Sequence, residues 1–109
     1  MASFTFLWTN ECRENMMDCE GDPLSCSVGN AFRDRYVAVG DLLYVLAYHG
    51  GETFLIGRMQ VGNIYTRAAW LRLNPNPDLW EGNEVIGGIS GTPMRFHRVI
   101  SLDVLRASS

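Results

Sequence analysis

Apolar positions in this chain fall mostly in short runs or at every second residue, the spacing of strands rather than of long helices. The most extended such region runs from Gly40 to Val61. Two runs rich in leucine, β-branched and aromatic residues flank His49-Gly50-Gly51-Glu52, whose glycines are free to take positive φ. The region therefore predicts a long β-hairpin. Its first run, Leu42 to Tyr48, is apolar on both faces, which predicts a central strand covered on two sides. The second run alternates after Ile56, with Arg58 and Gln60 on one side and Gly57, Met59 and Val61 on the other. That is the pattern of a strand leaving a buried sheet for a wetter edge.

The remaining elements are shorter. Phe4 to Trp8 predicts a first strand, stopped by Thr9-Asn10. Asn10 stands where a side-chain cap would start a helix over Glu11 to Met17, and the early acids suit the helix dipole. Glu20-Gly21-Asp22-Pro23 is turn chemistry, so residues 20–27 read as a loop. Gly29 to Tyr36 predicts a short helix with Phe32 turned to the core, and Val37 to Asp41 a tight lead into the hairpin, with Asp41 capping that turn. Thr66 followed by Arg67-Ala68-Ala69-Trp70-Leu71 favours a capped helical turn. The two prolines of Asn74-Pro75-Asn76-Pro77-Asp78 exclude regular structure there. Glu84 to Ile89 and Met94 to Ile100 predict two more strands, and Ser101 caps a last helical turn to Leu105. The sum is a single α+β domain over residues 1–109 with five or six mostly antiparallel strands and short helices. Strands apolar on both faces belong to a sheet that curls into a barrel or is capped by helices.

Composition narrows the function classes. The chain has 109 residues, 47% of them hydrophobic and 19% charged, as expected of one folded domain with its own core. No apolar run approaches the ~20 residues needed to cross a bilayer. Met1 to Trp8 lacks the basic start of a signal peptide, so a cytoplasmic protein without membrane contact is expected. All nine basic residues are arginines. Three stand against eight acids in residues 1–57, and six against four in residues 58–109. A net charge of −3 argues against a non-specific nucleic-acid binder but leaves room for a pocket that reads one base or one anion. Cys12, Cys19 and Cys26 stand seven apart and match no usual zinc-ligand spacing, so buried thiols are expected and no metal or cofactor. His49 and His97, the two histidines, fall in no recognisable arrangement with a nucleophile, and no catalytic residue is assigned.

In order, the features resemble the PUA-like superfamily of small pseudobarrels, and within it EVE-like and ASCH-like domains. The likeness rests on Phe6-Leu7-Trp8 ending the first strand, and on Gly29-Asn30-Ala31-Phe32-Arg33 in a short helix. Val39-Gly40-Asp41-Leu42-Leu43-Tyr44-Val45 is similar to the family's lead into its central hairpin. Phe54-Leu55-Ile56-Gly57-Arg58-Met59-Gln60-Val61 is similar to its return strand. Gly91 to Phe96 with Ile100 to Leu105 is similar to the family's tail. The likeness covers residues 4–8, 29–61 and 84–106. The cysteine-bearing 11–26 segment and the Asn-Pro-Asn-Pro loop depart from it.

The resemblance implies a reader of nucleic acid that holds a modified or single-stranded base in an aromatic-lined pocket, with bacterial relatives that accompany defence systems. Such a base is recognised by stacking on a ring and by hydrogen bonds to its edge. Carried onto this chain, Trp8 and Tyr48 would sandwich a planar ligand, Asn10, Ser27 and Asn30 would meet its edge, and Arg33 or Arg58 a phosphate. Two other readings stand beside it. An oligomeric interaction module would use Trp70, Leu71, Leu73 and Trp80 as an apolar contact. The ASCH-like kinship also admits a small hydrolase acting on modified nucleosides.

Overall fold

The computed structural model describes residues 2–29, 32, 36–75 and 82–100. Its elements, in chain order, are β1 (Ser3–Trp8), α1 (Asn10–Met16) with a 3-10 turn over Met17–Cys19, β2 (Cys26–Gly29), β3 (Leu42–His49), β4 (Glu52–Thr66), α2 (Arg67–Leu73), β5 (Glu84–Ile89) and β6 (Val99–Ile100). Six strands form one sheet in the order β1-β3-β4-β5-β2, with β6 also against β4. Every pairing is antiparallel except β1 with β3, which run parallel.

The hairpin forms as the pattern predicts. His49 pairs with Glu52, and Gly50 and Gly51 between them both take positive φ, at 62° and 80°. That is a two-residue turn whose twist suits the strands it joins, and only glycine adopts it freely. A bulge sets Leu46 opposite Leu55 after Val45 opposite Gly57, so Ile56 is an extra residue that drops into the core. Beyond the bulge the expected alternation holds: Gly57, Met59 and Val61 are buried, and Arg58 is exposed. β3 differs from expectation on one count. Leu43, Val45 and Ala47 are buried on one face, whereas the other carries half-buried Leu42 and Tyr44, buried Leu46 and exposed Tyr48. It is central in the sheet but fully covered on one face alone.

Three local expectations are corrected. The cap of α1 is Thr9, whose hydroxyl accepts from the Cys12 amide at 3.2 Å, and Asn10 is the first helical residue. Residues 20–27 are not simply a loop: Cys26 and Ser27 belong to β2, and the segment before it runs alongside residues 92–94. There the Leu24 amide donates to the Thr92 carbonyl at 3.0 Å, and the Met94 amide to that of Asp22 at 2.9 Å. Met94 to Ile100 is strand only at Val99–Ile100, although the Arg95 amide still donates to the Ile56 carbonyl at 2.9 Å. The capped helix after Thr66 is present as α2, with the Thr66 hydroxyl accepting from the Ala69 amide at 3.2 Å. Most of the helix expected over 29–36, part of the proline loop and the turn after Ser101 lie outside the described residues.

Trp8, Cys12, Leu43, Val45, Ile56, Met59, Val61, Ile86, Met94 and Phe96 build the main core on one face of the sheet. A smaller cluster gathers Val28 and Val85 with Trp70, Leu71 and Tyr65 under α2. The sheet is not closed: β1 and β2, its two edges, are not paired with each other among the described residues. They are linked by side chains instead, where Trp8 meets Ser27.

Candidate functional site

Neighbours across a parallel or antiparallel pair share a face, and residues along one strand alternate. Trp8 stands opposite Ala47 on β3 and therefore shares its buried face. The indole is 3% exposed, and its Nε1 donates to the hydroxyl of Ser27, itself 0% exposed, at 3.3 Å. Tyr48, the next residue along β3, is 55% exposed on the opposite face. The two rings thus do not sandwich a ligand between them. Ser27 is brought to Trp8 as a buried hydrogen-bond acceptor, and Asn10 lies exposed at the start of α1. Asn30 and Arg33 lie outside the described residues.

Two of the expected residues, Tyr48 and Arg58, share the outer face of the sheet without adjoining each other. The pairing Thr5–Tyr44–Arg58 crosses the outer face, and the next rows are Leu7–Leu46–Leu55 and Tyr48–Thr53. Tyr44 and Tyr48 thus project from one face, about 13 Å apart along the strand. Arg58 is exposed in the row of the first of them, where its guanidinium is free to meet the phosphate of a base stacked on Tyr44. Tyr44 was readable from the alternation of β3, which puts it on Tyr48's face.

A second residue was absent from the sequence-based set. Arg13 is buried although it carries a charge; its guanidinium carbon stands 5.8 Å from the Phe54 ring centroid, and its Nε has no hydrogen-bond partner. The signal was available in the spacing: Thr9, Cys12, Arg13 and Met16 follow the 0, 3, 4, 7 stripe that a helix turns to the core.

Two of the thiols, Cys12 and Cys26, are held in their protonated form. Burial, helped by nearby Cys26 and Glu11, pushes the Cys12 thiol up to about 12, and burial also raises Cys26. Both stay protonated near neutrality, the poor state for a nucleophile or a metal ligand. Among the described residues no three His, Cys, Asp or Glu side chains gather to hold a metal ion. His49 and His97 are both exposed. Asp41 does what its position predicts. Its carboxylate accepts from the Ala2 amide at 3.0 Å and the Ala38 amide at 2.9 Å, and these bonds hold it below the ordinary carboxylate range. No helix among the described residues is long and apolar enough to cross a membrane. Comparison with protein-family models, with curated proteins and with solved structures gave no match to this chain.

Proposed function

We propose that this protein binds a nucleobase-containing ligand, single-stranded or modified DNA or RNA, on the outer face of its sheet and without catalysing a reaction. The observation that carries this reading is the common face of Tyr44, Tyr48 and Arg58. Rings standing off a sheet with a guanidinium beside one of them offer stacking to any base and one contact to the backbone. Trp8 serves the fold in this reading, and Ser27 serves Trp8. The fold is taken as a PUA-like pseudobarrel whose edges meet at those two side chains, and three free thiols suit a reducing compartment such as the cytoplasm.

Tyr48→Ala tests it. Stacking is worth about 1–3 kcal/mol per base, so affinity for a short single strand should fall about tenfold or more. The melting temperature should barely move, because an exposed side chain away from packing contributes within about 0.5 kcal/mol. Equal affinity of the variant and the wild type, or no binding by the wild type, would count against the reading. One observation favours self-association as a second reading: Leu7 is 57% exposed on β1, an edge strand of the sheet. Sedimentation separates the two, since a dimer abolished by Leu7→Asp with no strand-binding activity would leave only the second.

A further inference from the structure

Among the described residues β1 pairs with β3 alone, so one side of it is an open edge. The register settles which groups face that edge. The Leu42 amide donates to the Ala2 carbonyl at 2.9 Å, and Ser3 stands opposite Leu42. In a parallel ladder of this register Ala2, Phe4, Phe6 and Trp8 turn their backbone groups to β3, and Ser3, Thr5 and Leu7 turn theirs away. Ser3, Thr5 and Leu7 are all exposed, Leu7 at 57%.

An unpaired row of N–H and C=O groups is a template for another strand, and folded proteins blunt it with charge, proline, a bulge, shortness or cover. The other edges of this sheet are blunted. β2 is four residues long with Ser27 and Val28 buried, and β6 is two residues long. β1 is open by contrast: its six residues, Ser3-Phe4-Thr5-Phe6-Leu7-Trp8, hold no charge and no proline, and its register with β3 runs without a bulge.

We propose that β1 is a dimerisation strand, through which two copies of the chain pair antiparallel about Thr5 into one continuous sheet. Such pairing gives the self-association read from Leu7 a mode and rests on that reading. A two-fold axis at Thr5 sets the open groups of Thr5 against the same groups of the second copy, and those of Ser3 against those of Leu7. Every open N–H and C=O of the strand then finds a partner. Threonine opposite threonine is itself a favourable cross-strand pair. A second copy also brings no charge to the seam. Ser3, Thr5 and Leu7, and Leu42, Tyr44 and Leu46 opposite them on β3, are uncharged in a chain of net charge −3. A charged peptide would find no opposite charge there. The axis stands normal to the sheet, so Tyr44 and Tyr48 of both copies stay on one side.

Sedimentation of the full chain between about 10 and 100 µM tests the pairing, since so small an interface gives a weak dimer. Wild type passes from monomer towards dimer across that range. Thr5→Pro deletes a donor that faces away from β3, a place where an edge strand tolerates proline, and stays monomeric with a cooperative melt. Should that variant fail to fold, amide hydrogen exchange in wild type decides. The Thr5 and Leu7 amides should then exchange several-fold faster in the dilute sample, and those of Phe4 and Phe6 equally in both. Wild type that is monomeric throughout overturns the pairing together with the self-association reading, and leaves the edge to an extended segment of another protein. A dimer that Thr5→Pro leaves intact, or one in which Thr5 and Leu7 exchange alike at both concentrations, keeps self-association and overturns the edge pairing.

Discussion

Replacing Trp8 by alanine removes a nearly sealed ring and takes the indole donor from Ser27, whose hydroxyl is itself cut off from water. The expected cost is about 3–5 kcal/mol of stability, measured by urea denaturation. Trp8→Phe keeps most of the packing and should cost less, about 1–3 kcal/mol, chiefly for the unsatisfied hydroxyl. A loss below about 1 kcal/mol for Trp8→Ala would contradict the burial described. Asp41 makes a pH-dependent contribution of opposite character. Its carboxylate is held below its unfolded value by two amide donors, so its stabilisation is complete above about pH 4. It is lost as pH falls through the lowered folded value. Asp41→Asn should therefore be less stable than wild type at neutral pH and should lose less on acidification to about pH 2. Parallel acid profiles of the two proteins would remove Asp41 from this role.

Among the elements, the seam between residues 21–24 and 92–94 is the most sensitive to a small change. A Cβ built on Gly91 would stand 1.8 Å from the carbonyl oxygen of Leu24, which is backbone and has nowhere to yield. Gly91→Ala should cost about 2–4 kcal/mol in the same denaturation experiment, because the seam must open. Retention of wild-type stability would show that the two segments are not in register. This seam was hidden in the sequence for a physical reason. Cys26-Ser27-Val28-Gly29 is short and follows turn residues, and its pairing depends on Glu84 to Ile89 far along the chain. The hairpin and α2 were legible because their determinants are local: two glycines with positive φ, alternation, and a threonine cap. The cap of α1 was misplaced by one residue because Thr9 and Asn10 are both good caps, and the end of β1 chooses between them.

Across the molecule, the candidate site shows how much rests on a single register. Trp8 and Tyr48 were both legible as aromatic residues at strand ends. Whether they cooperate depends on Trp8 lying opposite Ala47, and a shift of one residue would have set the two rings on one face. Nothing in the local pattern of β1 or β3 announces that they pair in parallel, since this is a property of the whole chain path. Arg58 was found because alternation alone exposes it. Arg13 was passed over because arginine is expected at the surface, although its helical spacing pointed inward. Pairing rather than sequence also sets Arg95 and Arg98 beside β4, where the Arg95 amide donates to the Ile56 carbonyl and the Leu55 amide to the Arg98 carbonyl.

The parallel placement of β1 has a consequence for how the chain is made. During synthesis Ser3 to Trp8 leave the ribosome well before Leu42 to Ala47, their hydrogen-bonding partner. An apolar segment must wait in the open until most of the central hairpin has been translated, the interval in which newborn chains are most exposed to wrong partners. Closing so long a loop also places this docking among the slower steps of maturation.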